Sequence, residues 1–450
     1  MNQAFGLVPW KGCMVTKPGL RWAKKGQNPS SDWISASGRC FSVTEAVITG
    51  LGPIAPNGFG KSHFWEALKM GRSGIRRVFG DNGTAAQIAG RVPREWLDTV
   101  LNGDSSNETA WPTVMIMAAA RLALEDAGLS QKEFASCNSA IVVGVSLIDM
   151  EMTEKEFYSF KEYGVLSPFA LASANPHAPA SHIARELHCS GKVITYAGTC
   201  SSGLLSISSG AEMILRGEAD VLLAGGGDSC ITPFVVSSFT AAGLHPPRFG
   251  DDPTVECRPF DARREGGVLS EGAGIVVLES IEHARRRGAH IYARVTGWGM
   301  ANATLPMSTR DAFASAMEQA LAKAGIEPGM VDYVSAHAPG IKLSDRLEVA
   351  AIKRVFGSHA YNLSVSSIKS MIGNPLAASG PLQVIAVAQA MEHSFIPPTI
   401  NYQYSDAGCD LDFVPNFGRV ARVATAVINS SGIGGCIASL ILAKPQTTLR

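Results

Sequence analysis

Val193-Ile194-Thr195-Tyr196-Ala197-Gly198-Thr199-Cys200-Ser201-Ser202-Gly203, running into the apolar stretch 204–215, reads as a strand, a tight turn and a helix. The turn sets a cysteine at a helix start, where free backbone N–H groups and the positive end of the dipole favour thiolate over thiol. Such a sulfur is a candidate nucleophile. Glycine and serine also suit an ordinary tight turn around a buried, inert cysteine, so the residues alone leave both readings open.

The same alternation extends in both directions. Residues 47–51 form a β-branched run, 53–60 are turn-rich, and 64–70 have helical spacing. Residues 115–127 read as an amphipathic helix stopped by Gly128, 140–145 as a buried strand, and 219–224 as a strand ending in Gly225, Gly226 and Gly227. After about residue 290 the order recurs in outline: strand 291–298, helix 311–324 ended by Gly325, strand 331–336, helix 345–356. Buried strands interleaved with helices call for α/β layers, and a duplicated unit would stack helices between two sheets. Three segments are expected: a basic arm over 1–44, a first half over 45–290 that carries the cysteine, and a second half over 291–450.

Composition removes several classes of function. With 46% hydrophobic and 17% charged residues among 450, the chain has material for a large core. Lys plus Arg equals Asp plus Glu at 39 each, so no overall field draws it to nucleic acid or an anionic membrane. No apolar run approaches the roughly 20 residues that span a bilayer. Nine scattered cysteines without a C-x-x-C pair read as reduced thiols, with no metal site and a cytoplasmic setting expected. The arm carries Lys11, Lys17, Arg21, Lys24, Lys25 and Arg39 against Asp32 alone, and it lacks the continuous apolar stretch of a secretory signal.

Two further segments carry candidate chemistry. His337 follows the buried run Tyr333-Val334-Ser335-Ala336 and precedes Ala338-Pro339-Gly340, with Asp345 beyond. A strand end is a common place for catalysis, although a satisfied structural histidine would look the same. In Ser366-Ser367-Ile368-Lys369-Ser370-Met371-Ile372-Gly373-Asn374-Pro375, Asn374 stands before a proline and a helical run, which is also the pattern of a helix cap.

Taken together, residues 45–445 resemble the elongating beta-ketoacyl-acyl carrier protein synthases of the thiolase superfamily. Val47-Ile48-Thr49-Gly50-Leu51-Gly52 is similar to that family's first strand, Phe64-Trp65 with Ser73-Gly74-Ile75 to its first helix, and Cys200-Ser201-Ser202 to its nucleophile elbow. The most specific block is Arg258-Pro259-Phe260-Asp261-Ala262-Arg263-Arg264-Glu265-Gly266-Gly267-Val268-Leu269-Ser270-Glu271-Gly272-Ala273-Gly274. His337 matches the family's first histidine, Lys369 its lysine, and Asn429-Ser430 with Gly432-Ile433-Gly434-Gly435 its C-terminal glycine loop. The resemblance implies a duplicated, five-layered αβαβα thiolase-like subunit that forms a homodimer, with a heterodimer as the variant. It implies Cys200, His337, Asn374 and Lys369 as catalytic residues, the backbone of Cys200 and Ile433 as oxyanion hole and gate, and Asp345, Glu348 and Glu271 in support. No cofactor is implied; substrates arrive on phosphopantetheine from acyl carrier protein or coenzyme A.

Three departures qualify it. Asn374 stands where elongating members have a second histidine, so a hydrogen-bond donor is kept and a proton-transfer group is lost. Ala338-Pro339-Gly340-Ile341 lacks the hydroxyls expected to contact pantetheine. Ser431-Gly432-Ile433 replaces a bulky Phe-Gly-Phe gate and predicts a wider acyl entrance.

Three rivals stand beside the condensing-enzyme reading: a transacylase that never condenses, a non-catalytic partner subunit like a chain-length factor, and a nucleotide hydrolase. The last rests on Ala55-Pro56-Asn57-Gly58-Phe59-Gly60-Lys61-Ser62, a relaxed phosphate-loop pattern between a strand and a helix.

Overall fold

The strand Ala46–Ala55 is buried along all ten residues, because helices cover it on both faces. It anchors five strands in the spatial order Val193–Tyr196, Ser139–Gly144, Val221–Asp228, Gly272–Ser280, Ala46–Ala55. A second set of five follows: Ser364–Ser366, Tyr333–Ser335, Thr425–Ser431, Cys436–Ala443, Ala293–Asn302. Each set, read along the sheet, takes its strands in the chain order third, second, fourth, fifth, first. In each, the first three in space are parallel and the last two join antiparallel. The repeat that was faint in sequence is explicit in topology. The two sets meet where Ala46, Val47 and Ile48 pair with Val295, Arg294 and Ala293. This computed structural model describes residues 44–79, 87–101, 109–147 and 149–445; the basic arm, all but its last residue Thr44, lies outside the described residues.

Helices complete the layers. Trp111–Ala127 covers the outer face of the first set and Thr309–Ala324, with Lys342–Phe356, the outer face of the second. Gly128 and Gly325 end the first two in left-handed conformation, as the sequence predicts. Ser202–Leu215 and Ser379–His393 lie between the two sets and share the largest apolar core with both. A helix buried on all sides needs no polar face, and Ser379–His393 is buried from Ser379 to Met391. The result is the duplicated αβαβα architecture expected from the sequence. Among the described residues no helix is long and apolar enough to cross a membrane.

Two local expectations fail for tertiary reasons. Gly225, Gly226 and Gly227 do not end their strand, which continues to Asp228. They lie inside it because neighbouring backbones crowd them: a Cβ on Gly226 would stand 2.3 Å from the Gly144 carbonyl oxygen. The phosphate-loop reading also fails. The strand runs through Ala55, turns at Pro56-Asn57, pairs Ala55 with Gly58, and enters helix Gly60–Lys69 at once, leaving no loop to wrap a phosphate. Lys61 is engaged elsewhere, with Nζ 2.6 Å from Asp126 and 2.6 Å from the Tyr292 hydroxyl.

Candidate active site

The strand Val193–Tyr196 delivers the chain into a 3-10 turn, Thr199–Ser201, that leads into helix Ser202–Leu215. Thr199 holds a positive φ of 54°, costly for a β-branched residue. The second half of the molecule holds this elbow in place. The Thr199 hydroxyl donates to the Ile433 carbonyl at 3.2 Å, the Ser201 hydroxyl to that of Cys436 at 2.8 Å, and the Ser430 hydroxyl to that of Cys200 at 2.9 Å. Gly432 lies so close that a Cβ there would meet Thr199 Oγ1 at 1.9 Å.

Cys200 is 2% exposed and lines a cavity of about 210 Å³ together with His337, Asn374, Ile433, Phe239 and Leu244. Burial pushes its thiol up to about 11, and Asp228 adds to the rise. Lys369, the Asn374 side chain and the Ile433 backbone N–H pull the other way without prevailing. Burial thus works against the helix start, which favours the thiolate.

His337 follows strand Tyr333–Ser335. The backbone N–H groups of His337 and Ala338 each donate to the Glu348 carboxylate at 2.8 Å, and Asn429 adds a third bond at 3.1 Å. Asp345 accepts from Phe260 and Gly340 N–H at 3.1 and 3.3 Å and pairs with the buried Arg264 at 3.1 Å. These two carboxylates fix both ends of the loop 337–340. The imidazole is buried, and Nδ1 has no hydrogen-bond partner among the described residues. Burial, then the Lys369 charge, holds its pKa well below the usual histidine range, so the ring is neutral.

Lys369 is fully buried behind the cavity wall, 3.5 Å from Gln383 Oε1. Burial lowers its pKa to about 8, opposed by Cys200, Glu348, Cys257 and Asp345. Asn374 does not cap the helix that follows. A 3-10 turn, Leu376–Ala378, intervenes, and the N-cap of Ser379–His393 is Ala378. Asn374 is held instead by its backbone, N–H to Val268 O at 2.7 Å and O from Ser270 N–H at 3.1 Å, while Oδ1 accepts from the Ser379 hydroxyl at 3.2 Å. Its amide nitrogen is left to donate into the cavity.

Glu271 stands apart from the cavity lining, where it accepts from Val92 N–H at 2.8 Å and the Ser229 hydroxyl at 2.7 Å. Several residues gave no local signal in the sequence. Gln383 donates from the central helix to the carbonyls of Ser335 and Ala336 just before His337, at 3.1 and 3.0 Å. Asp228, pushed up to about 7 by burial against three backbone N–H bonds, ties Ser146 and Leu147 to Ala377. Among the described residues no three His, Cys, Asp or Glu side chains gather closely enough to hold a metal ion.

A buried thiol, a neutral imidazole and an amide donor sharing one cavity suit acyl transfer to sulfur. Comparison with known proteins agrees. Residues 44–284 match the beta-ketoacyl synthase N-terminal domain and residues 292–403 the C-terminal domain of the same family. The chain is 37% identical over 406 residues to a 3-oxoacyl-[acyl-carrier-protein] synthase 2 of Coxiella burnetii, covering 88% of this chain and 98% of the relative. It is 36% identical over 417 residues to the granaticin polyketide putative beta-ketoacyl synthase 1 of Streptomyces violaceoruber, covering 89% and 98%. The ishigamide ketosynthase/chain length factor structure superposes with a TM-score of 0.84 at 33% identity, over 90% of this chain and all of that one. A type II polyketide synthase acyl-carrier protein in complex with its hexaketide-bound ketosynthase gives 0.82 at 30% identity, over 90% of this chain and all of the matched one. With both domains matched in order and the thiolase-like layers in place, the chain belongs to the beta-ketoacyl synthase family.

Proposed function

We propose that this protein is a condensing enzyme in which Cys200 carries the acyl chain and His337 with Asn374 manages a malonyl thioester. In the first half-reaction the Cys200 sulfur attacks the carbonyl of a pantetheine-borne acyl thioester. The thiol proton passes through the His337 imidazole to the departing carrier thiolate. The tetrahedral oxygen is held by the backbone N–H groups of Cys200 and Ile433. In the second, malonyl thioester loses carbon dioxide, and the enolate oxygen is stabilised by His337 and the Asn374 amide. The enolate carbon attacks the acyl-Cys200 carbonyl, the C–S bond breaks, a beta-ketoacyl thioester leaves, and the Cys200 thiolate takes a proton from water to restore the thiol. Asn374 is the residue in place of a second histidine: it donates but moves no proton.

The observation that supports this reading most is the convergence of Cys200, His337 and Asn374 on one cavity, with Cys200 more than a hundred positions away in sequence from the other two. The acyl donor is proposed to be an acyl carrier protein or coenzyme A thioester. The active assembly is proposed to be a dimer, with a second copy or a paired subunit. Incubation with acyl and malonyl thioesters, followed by weighing protein and products, tests it. Acyl-enzyme together with beta-ketoacyl product and carbon dioxide supports condensation. Acyl-enzyme without carbon dioxide reduces the protein to a transacylase, and neither reaction reduces it to a partner subunit.

A further inference from the structure

Residues 267–270 run between Asn374 on one side and, on the other, the 244–245 segment together with Gly90, whose N–H donates to the Leu269 carbonyl at 3.0 Å, and their backbone groups alternate sides as the period of two in an extended chain requires. On one side the N–H of Gly267 donates to the Leu244 carbonyl at 2.9 Å, and that of Leu269 donates to Nδ1 of His245 at 3.2 Å. On the other side stands Asn374, bonded at 2.7 Å to Val268 O and at 3.1 Å to Ser270 N–H. A three-layered clamp results: the 244–245 segment, the strap, and Asn374 at the cavity wall.

One member of this clamp is not a backbone group. The imidazole of His245 stands where a regular ladder would offer a second carbonyl. It is 2% exposed, and the Leu269 residue it serves is 1% exposed, so neither partner has water to fall back on. Burial lowers the His245 pKa to about 4, with the Gly267 backbone opposing, so the ring is neutral at pH 7. Because Nδ1 accepts, the proton sits on Nε2. His245 itself does not line the cavity, although its neighbour Leu244 does.

We propose that His245 is a positioning residue for Asn374: by accepting the Leu269 N–H it completes, beside the Gly90 bond to the Leu269 carbonyl, the hold on the strap 267–270, and through the strap it sets where the Asn374 amide points. The inference rests on the role given above to Asn374. A shift of the strap moves the donor that meets the enolate oxygen, while the elbow that carries Cys200 is held by other bonds, from Ser430, Ser201 and Thr199.

The test compares His245→Ala, His245→Asn, Asn374→Ala and the double variant His245→Ala/Asn374→Ala, measuring carbon dioxide release from malonyl thioester and acylation of Cys200 by intact mass. His245→Ala should slow carbon dioxide release by about ten- to a hundred-fold through misplacement of one donor, with Cys200 loading reduced no more than in Asn374→Ala. His245→Asn, whose amide oxygen can accept the same N–H, should recover most of the rate. Adding His245→Ala to Asn374→Ala should cost little more, since both act on one donor. The inference is overturned if His245→Ala releases carbon dioxide normally while Asn374→Ala does not, if the two losses multiply in the double variant, or if His245→Ala also abolishes loading of Cys200. Normal carbon dioxide release by Asn374→Ala overturns the reading of Asn374 itself, and absence of release from the unmodified protein overturns both.

Discussion

Replacing Asn374 with alanine separates the two half-reactions by magnitude. The substitution leaves both backbone bonds to Val268 and Ser270 in place and removes the side-chain bond from the Ser379 hydroxyl and the contact with the Cys200 thiol. Stability should therefore fall by only about 1 kcal/mol. For carbon dioxide release, Asn374 is one of two donors assigned to the enolate oxygen. Losing one such donor costs about a hundred- to a thousand-fold, or about 3–4 kcal/mol of barrier. For loading, Asn374 is one of three groups, with Lys369 and the Ile433 N–H, that draw the Cys200 thiol down from where burial puts it. Its loss should raise the thiol further and lower the thiolate fraction at fixed pH, a smaller effect than the loss of carbon dioxide release. The assay follows labelled carbon dioxide from malonyl thioester beside the time course of acyl-enzyme by intact mass. Carbon dioxide release within about three-fold of the unmodified protein would refute the reasoning, and so would equal losses in both half-reactions.

Ile433 is 53% exposed at the cavity mouth, and Ile433→Phe should narrow the range of chain lengths that load onto Cys200; an unchanged acylation profile across short and long thioesters sinks the gate idea. Lys369→Met removes the cation that most lowers the Cys200 thiol, so loading at pH 7–8 should fall, and the inflection near pH 8 from Lys369 should vanish from its pH profile; a retained inflection assigns it to another group. Burial alone would raise the pKa of Asp406, but Arg346, the Gly408 N–H and Arg264 outweigh it, and the carboxyl is depressed. A depressed carboxyl contributes stability that is fully present above its unfolded pKa of about 4 and is lost as pH falls through the folded value. Asp406→Asn should thus cost about 1.5–3 kcal/mol at pH 7, by removing one of the two carboxylates paired with the buried Arg264 together with the partner of Arg346, with a smaller difference below pH 4; chemical denaturation at both pH values checks it.

Much of this was legible because it is local. The helix stops at Gly128 and Gly325 and the strand-turn-helix around Cys200 follow from hydrophobic period and turn chemistry, and the ordered motifs around His337 and Lys369 pointed to one family. What failed depended on distant neighbours. Gly225 to Gly227 look like a strand's end until the Gly144 and Gly274 backbones are laid against them. Asn374 before Pro375 has the local pattern of a cap, but the strap at Val268 and Ser270 takes its backbone. At Cys200 the sequence displays the helix start that favours a thiolate but not the desolvation that opposes it. His245, Asp228 and Gln383 carry no motif, since their roles come from partners that only folding brings near.

Whether Cys200 carries the acyl chain is decided by intact mass after exposure to acyl thioester, with peptide mapping of the adduct. A single acyl adduct on Cys200, absent in Cys200→Ala, is the expected result. Undiminished acylation of Cys200→Ala, or an adduct mapped to another of the nine cysteines, would contradict it.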